Sequence, residues 1–330
     1  MDILEDGEIR GYEACTGCGI CTIACPVWWE TRDVWFTPHG RARALQGGAS
    51  VDEMADSVLS CQMCGSCEPA CPEEIDLMAL MRQLRTRLNE IDRNPFTRDP
   101  VVVPPSGIET GLDRSTPRLL LAGPELERRP ALLASVVECL GGVDRVRVAA
   151  DDGRDLAWGF EAGAPLDPAR LDRFLSALGG ARELVVIEGI LHRPLRERCP
   201  GVRVRGLAEV LLDGESISSA LGPRDFLVID ARAYHADHPR LVRLFGGLRS
   251  RTRCQMNLDL QRLAIPTGAD SIQARVNGHE SCETAVRWML EGRDIDRIVV
   301  ESPADLDALA AWTDVPVVHL STLASEALAQ

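Results

Sequence analysis

The sequence contains no lysine and few aromatic residues. All 36 basic residues are arginines, aromatic side chains make up 4% of the chain, and 50 acidic residues leave a formal net charge of −14. Nucleic acids are unsuitable partners for so acidic a chain, because binding to their phosphates requires clustered positive charge. No apolar run approaches the ~20 residues that a membrane-spanning helix requires. Any association with a membrane would therefore go through a partner protein.

Several catalytic and targeting motifs are also missing. The chain has no GxGxxG, P-loop, GxSxG or HExxH element, so we find no flavin or nucleotide fingerprint. The first six residues, MDILED, are acidic and are not followed by the apolar stretch of a secretory signal. We therefore expect no signal peptide and a location in the reducing cytoplasm, where cysteine runs favour metal binding.

Eight of the twelve cysteines form two copies of one spacing. Residues 15–26 and 61–72 each have the pattern C-x2-C-x2-C-x3-C-P, which is the bacterial ferredoxin pattern for a 4Fe–4S cluster. Structural zinc sites usually separate their CxxC units by a longer spacer, and disulfides are disfavoured in the cytoplasm. The repeat therefore predicts two 4Fe–4S clusters, and two clusters indicate that electrons pass through this chain.

The ligands of each cluster are predicted to come from both runs. In two-cluster ferredoxins the fourth cysteine of each run binds the other cluster. Gly17, Gly19 and Gly65 lie between ligands, where the missing Cβ lets the backbone approach the sulfur atoms. The prediction gives a first ligand set of Cys15, Cys18, Cys21 and Cys71, and a second set of Cys61, Cys64, Cys67 and Cys25.

The chain divides by composition into a cluster domain (1–95), a linker (96–117) and two α/β halves (118–215 and 224–330). The cluster domain should be of helical and loop structure, with a helix over 77–91 that Asp76 caps and a shorter helix near 51–60. The linker is rich in proline and glycine. After it, short apolar runs alternate with helical patterns, which predicts mainly parallel sheets in two related halves. The predicted strands are 119–122, 146–149, 184–187, 226–229, 298–300 and 315–319, and the predicted helices lie near 125–140, 167–178, 206–212, 239–247, 280–291, 304–312 and 321–328.

Aromatic residues crowd the segment just after the first cysteine run. Trp28, Trp29, Trp35 and Phe36 fall within nine residues. Two interpretations are open: they pack around the first cluster, or they form a surface on which a partner docks through aromatic anchors.

A short segment between the cysteine runs, Thr37-Pro-His-Gly-Arg41, distinguishes the chain from a free ferredoxin. With both cysteine runs, it resembles the iron–sulfur subunits of glycolate oxidase, of lactate-utilisation enzymes and of anaerobic glycerol-3-phosphate dehydrogenase, and the C and D subunits of heterodisulfide reductase. The resemblance covers about residues 1–92. It implies electron transfer between a flavoprotein partner and a quinone-linked or other acceptor.

In that family two cysteine-rich repeats usually follow, each with a Cys-Cys-Gly and a later Cys-Pro-x-Cys element that often hold a further cluster. The two α/β halves resemble these repeats in length and order, but the cysteines are missing. Where the family elements would be expected, this chain has Asp151-Asp152-Gly153, residues 187–191, Tyr234-His-Ala-Asp-His-Pro239 and residues 301–305. We therefore expect a degenerate member without the further cluster.

Four cysteines and one histidine pair remain. Cys139, Cys199, Cys254 and Cys282 are far apart in sequence, so buried inert thiols are the simplest interpretation, with a metal site formed in the fold as the alternative. His235, Asp237 and His238 could chelate a metal, although a polar turn before a helix explains them better.

Three functions are consistent with the sequence. The leading hypothesis is a non-catalytic electron-transfer subunit of a multi-subunit oxidoreductase. The second is a catalytic subunit of the heterodisulfide reductase D type, with an additional C-terminal metal cluster. The third is a scaffold or redox sensor that uses the clusters for stability.

Overall fold

The computed structural model describes residues 11–98, 118–259, 262–278 and 283–324. An N-terminal region of short helices and loops carries both cysteine runs, and an α/β region with two four-stranded, all-parallel sheets follows it. The fold class predicted from the sequence is therefore confirmed. Among the described residues, no helix combines the length and the apolar character needed to cross a membrane.

Short helices separated by turns make up the N-terminal region. The predicted cap of the long helix is confirmed, because the Asp76 carboxylate accepts a hydrogen bond from the backbone N–H of Ala79 at 2.9 Å. Thr37 caps the helix between the cysteine runs in the same way, through the N–H of Gly40 at 3.1 Å. The helices are α1 (Ile20–Ile23), α2 (Pro26–Thr31), α3 (Pro38–Gln46), α4 (Ala55–Leu59), α5 (Leu77–Glu90) and α6 (Pro95–Arg98), with 3-10 turns at Tyr12–Ala14 and Val34–Phe36.

The first α/β half contains one four-stranded sheet and its helices. Its strands are β1 (Arg118–Leu121), β2 (Val146–Val148), β3 (Glu183–Val186) and β4 (Arg203–Gly206). Its helices are α7 (Gly123–Glu127), α8 (Pro130–Cys139), α9 (Arg154–Ala162), α10 (Pro168–Ala177), α11 (His192–Arg198), α12 (Leu207–Leu211) and α13 (Glu215–Ser219), with a 3-10 turn at Gly189–Leu191.

The second α/β half contains a second four-stranded sheet and a small hairpin. Its strands are β5 (Asp225–Val228), β6 (Gln255–Met256), β9 (Arg297–Val300) and β10 (Val317–His319), and the antiparallel hairpin is β7 (Leu258–Asp259) with β8 (Leu263–Ala264). Its helices are α14 (Ala231–Ala236), α15 (His238–Thr252), α16 (Ile272–Asn277), α17 (Glu283–Leu290) and α18 (Pro303–Ala310).

The two sheets have the same topology, which explains the internal repeat in the sequence. The strand order is β2-β1-β3-β4 in the first sheet and β6-β5-β9-β10 in the second. In each four-stranded sheet, the strand that comes first in the sequence therefore lies between the strands that come second and third. Strands β3 and β4 of the first half therefore correspond to β9 and β10 of the second.

The hydrophobic core joins the cluster region to the first α/β half. Successive side chains of β1 point to opposite faces of the sheet. Leu119 and Leu121 lie in one apolar cluster with the buried face of α5, whereas Leu120 lies in another with Leu227 and Val299 of the second half. The apolar cluster that contains Leu119 and Leu121 has members on both sides of residue 95. The predicted domain boundary near that residue stays a prediction. The predicted linker falls mostly outside the described residues, because only its first three residues, in α6, are described.

Candidate metal centre

The two cysteine runs form loops with left-handed residues at the same positions. In the first loop (15–25), Gly17 and Gly19 have φ values of 80° and 75°. In the second loop (61–71), Met63 and Gly65 occupy the equivalent positions with φ values of 52° and 76°. Two left-handed residues within three positions curl each loop tightly. Met63 carries the steric cost of this conformation, and its side chain is completely buried.

The first predicted ligand set, which we call the first thiol group, lies near the surface. One of its members, Cys71, belongs to the second loop. Burial, followed by the charges of Cys71, Cys15, Cys18 and Cys25 in that order, raises the pKa of Cys21 to about 12. Cys71 thus acts on Cys21 more strongly than any other thiol does. Cys18 is exposed, and the other three members of the predicted set are half-buried. The other three members of the first set therefore lie near Cys21, and so does Cys25 of the second set.

The second thiol group lies deeper. Burial and then the charges of Cys64, Glu68, Cys61 and Cys25 raise the pKa of Cys67 well above its ordinary value. Burial is also the main cause that raises the pKa of Cys64 to about 12. Both Cys25 and Cys64 are buried, and the whole second set lines one cavity. The members of this set also lie together, and the assignment of both sets as cluster ligands stays a prediction that metal analysis can test.

The residues around the second group fit an iron–sulfur cluster. Burial raises the pKa of the Cys25, Cys64 and Cys67 thiols, so these thiols resist ionisation by themselves, but a metal-bound thiol is deprotonated. Arg41 lines the same cavity, and its Nη1 atom is buried without a hydrogen-bond partner in the part of the chain that the structure describes. An unpaired cationic donor beside four thiols favours the binding of an anionic group in this cavity. A 4Fe–4S cluster bound by four thiolates is such a group.

Three side chains of the second α/β half hold the second loop in place. The side-chain amide of Gln273 donates to the carbonyl of Cys61 at 2.7 Å, the guanidinium of Arg232 donates to the carbonyl of Gln62 at 2.7 Å, and His235 Nδ1 lies 2.8 Å from the carbonyl oxygen of Cys64. The sequence analysis missed this role. Backbone carbonyls have no sequence signature, so only the fold could reveal these contacts.

His235 is a neutral donor in this arrangement. Burial lowers the pKa of its imidazole to about 4. The backbone N–H of Ala264 donates to Nε2 at 3.2 Å, so Nδ1 carries the proton and donates to Cys64. Asp237 pairs with Arg196 and Arg240 instead of joining His235. Within the described residues, no three His, Cys, Asp or Glu side chains are placed to hold a single metal ion.

Carboxylates occupy three of the positions at which the resemblance led us to expect additional cysteines. Asp152 pairs with Arg154 Nε at 2.8 Å, and Glu188 of the first half pairs with Arg275 of the second at 2.7 Å. Glu301 of the second half accepts from the backbone N–H of Ala208 in the first half at 2.9 Å. Burial raises the pKa of Glu301 to about 7. Two of these three carboxylates therefore join the α/β halves to each other.

The aromatic segment after the first loop is not a buried core. Trp35 is 37% exposed, whereas Trp28, Trp29 and Phe36 are half-buried. The ring of Trp29 stacks on Trp288 of α17 with centroids 4.3 Å apart. Four large apolar side chains of α1 and of this segment are exposed, and we call them the apolar rim: Ile20, Ile23, Val34 and Trp35.

The remaining cysteines lie in separate elements. Cys139 ends α8 and donates to the carbonyl of Ser321 at 3.4 Å, Cys199 follows α11, and Cys254 is buried before β6. Cys282 lies outside the described residues. All eleven cysteines in the described part of the chain are free thiols.

Comparisons with known proteins identify the N-terminal region alone. No curated protein matches the chain, and no solved structure matches it. Residues 11–75, which include both cysteine runs, match the family model described as a 4Fe-4S dicluster domain. The match supports 4Fe–4S cluster binding and an electron-transfer role for this iron–sulfur protein.

Proposed function

We propose that this chain is the electron-transfer subunit of a multi-subunit oxidoreductase, and that it relays electrons between a flavoprotein partner and a downstream acceptor through two 4Fe–4S clusters. The observation that supports the proposal is the proximity of thiols from different loops. Cys25 of the first loop lines one cavity with Cys61, Cys64 and Cys67 of the second, and Cys71 of the second loop acts on Cys21 of the first. In the proposal each loop supplies one ligand to the cluster of the other, which holds the two clusters at short range.

The residues of the chain give the two groups different tasks. A 4Fe–4S cluster, when bound, takes up and releases single electrons at a potential that its surroundings set. Exposed Cys18 gives the first group access to a partner. Gln273, Arg232 and His235 cover the second loop and exclude water from that side. The proposal needs no acid or base on this chain.

The apolar rim is the proposed docking surface for the flavoprotein. Ile20 and Ile23 are 45% and 51% exposed on α1, which begins two residues after Cys18. A partner that covers them brings its cofactor close to the first group. The flavoprotein itself, and a quinone-linked or other acceptor, come from the family resemblance. The proposal assigns the chain to the reducing cytoplasm, free or held at the inner face of the membrane through a partner.

Purification of the untagged complex under anaerobic conditions tests the proposal. We expect a flavin-bearing protein in stoichiometric amount and about eight irons per chain, counting four per cluster. Ile23→Glu should abolish co-purification, because it places a charge in the apolar contact. Val143→Glu is the matched control, since Val143 is 61% exposed in the turn before β2, and it should leave the complex intact.

Other outcomes would contradict the proposal in distinct ways. Markedly more than about eight irons per chain would favour the catalytic subunit with an additional cluster. A chain that holds its clusters but exchanges electrons with no partner during turnover would favour a sensor or scaffold. A colourless sample, or one that contains zinc, would exclude cluster-based electron transfer altogether.

A further inference from the structure

Two arginines next to the second thiol group are fully buried without an anionic partner. Arg41 is 1% exposed and Arg85 is 0% exposed. Neither forms an ion pair with a carboxylate in the described part of the chain, where buried arginines such as Arg232 and Arg154 do. A buried charge is expensive unless it is paired. The carboxylate of Glu161 acts on Arg85 but is paired with Arg232, so a further anion is needed to balance these two guanidinium groups.

Both guanidinium groups are fixed by backbone and hydroxyl oxygens. Arg41 donates from Nε to the carbonyl of Ser57 at 3.0 Å and from Nη2 to the carbonyl of Phe36 at 2.8 Å. Arg85 donates from Nη1 to the carbonyl of Glu161 at 2.6 Å and from Nη2 to that of Cys61 at 2.5 Å. Within the described ranges of the chain, Arg41 Nη1 and Arg85 Nε are left without hydrogen-bond partners. Neutral acceptors orient these side chains but do not neutralise them.

The second thiol group lies beside both arginines. Arg41 lines the cavity that all four members of this group also line. Arg85 donates to the backbone carbonyl of one of these members, Cys61, at 2.5 Å. An anionic group held by the four thiols would therefore lie close to both guanidinium groups.

The first group has a different environment. Arg43 lies beside its loop, where a Cβ on Gly17 would be 3.8 Å from Arg43 Cδ. The Arg43 guanidinium is exposed and donates to the side chain of Gln46 at 2.5 Å. Water screens such an exposed charge, whereas a buried charge acts at a much lower dielectric constant.

We propose that Arg41 and Arg85 are built-in counter-charges for a cluster bound by the second thiol group and that they raise its reduction potential. Uptake of one electron adds one negative charge to that cluster, breaks no bond and needs no proton. Two buried cations favour the more negative, reduced form. The inference rests on the proposed function, because it requires a cluster at these four cysteines.

Redox titration of the anaerobically purified full chain tests the proposal, with dithionite as reductant and electron paramagnetic resonance to distinguish the clusters. Arg41→Gln and Arg85→Gln remove the charge and keep hydrogen-bond donors. Each should lower the equilibrium constant for reduction of the second cluster by roughly tenfold, which corresponds to about 59 mV for one electron. The first cluster should keep its potential. Arg43→Gln, at the exposed arginine, is the matched control and should shift neither cluster.

Lysine variants separate charge from packing. Arg41→Lys and Arg85→Lys keep the charge and should keep the potential near that of the wild type. If lysine and glutamine lower it equally, hydrogen bonding sets the potential and the proposal is wrong. If Arg41→Gln cannot retain the second cluster, retention in Arg41→Lys supports the charge role, and equal loss in both overturns it. A wild type without iron would overturn the proposed function as well, whereas about eight irons with unresponsive potentials would overturn this inference alone.

Discussion

The two cysteine loops have the same sequence spacing and the same left-handed positions, yet they lie in different surroundings. In the first loop a Cβ added to Gly19 would meet nothing within 4 Å, whereas one added to Gly65 in the second loop would lie 3.0 Å from the Cβ of His235. Cys18 is exposed and its counterpart Cys64 is buried. Spacing and glycines therefore determine the loop, and the rest of the chain determines what surrounds it.

The second α/β half accounts for this difference. Side chains from α14 and α16 donate to the backbone carbonyls of Cys61, Gln62 and Cys64 in the second loop. Within the described residues, these two helices form no such hydrogen bonds with the first loop. This half thus has a structural task at the second cysteine loop. It covers one thiol group and leaves the other more exposed.

The largest expected effect comes from removing one ligand from each group. Cys64→Ala and Cys18→Ala should each reduce the iron content by about four per chain. Cys64→Ala should also destabilise the fold strongly, because it leaves buried thiols and Arg41 without a balancing group. Cys18→Ala should leave the fold nearly intact, since its site faces solvent. Iron analysis and thermal unfolding under anaerobic conditions measure both quantities.

Variants of the fourth cysteine of each run test whether each loop supplies a ligand to the cluster of the other. Cys71→Ala should behave like Cys18→Ala, although Cys71 belongs to the second run, and Cys25→Ala should behave like Cys64→Ala. If each variant instead resembled the other members of its own run, the ligand assignment would be wrong.

Sequence reasoning succeeded where the determining residues are close together in the chain. The cysteine spacing, the cap of α5 at Asp76 and the apolar runs of β1, β3, β5 and β9 all depend on local patterns. The strand boundaries shifted by one or two residues. At the last strand, the predicted 315–319 became β10 (Val317–His319).

The failures have physical causes. Helix α9 was not predicted, because two of its buried residues, Arg154 and Glu161, are charged, and the preceding Asp151-Asp152-Gly153 indicated only a turn. Strand β6 has two residues, which is too short for a pattern. The contacts of Gln273 and His235 join residues more than 170 positions apart to backbone atoms, and sequence alone gives no signal for them.

A smaller effect is expected from the equivalent glycines. Gly19→Ala and Gly65→Ala both place a Cβ at φ near 75°, which costs about 1–2 kcal/mol for each. Gly65→Ala should cost about 1–3 kcal/mol more, because the backbone must move away from His235. We expect a clearly lower midpoint of thermal unfolding for Gly65→Ala, with faster loss of iron from the second group. Equal midpoints for the two variants would show that His235 does not press on this loop.

The smallest effect concerns the support behind the second loop. The turn at Thr267 and Gly268 packs on Gln62, since a Cβ on Gly268 would lie 3.1 Å from Gln62 Nε2. The hydroxyl of Thr267 donates to the buried Asp305 carboxylate at 2.5 Å. Burial raises the pKa of Asp305 from 3.8 to about 7. The folded chain therefore binds more protons than the unfolded chain between about pH 4 and pH 7, so this group's contribution to stability is largest at low pH and falls as the pH rises.

Asp305→Asn removes this titration and keeps an oxygen that accepts from Thr267. Relative to the variant, the wild type should lose about 1 kcal/mol of unfolding free energy between pH 6 and pH 8, because it must then bury a carboxylate. Asp307→Asn, at a 64% exposed position on the same helix, controls for the loss of a negative charge as such. Anaerobic denaturant unfolding at several pH values measures the difference. A constant difference between Asp305→Asn and the wild type across this range would mean that Asp305 is already ionised in the folded chain at pH 6, and that the second loop rests on a charged support instead of a neutral one.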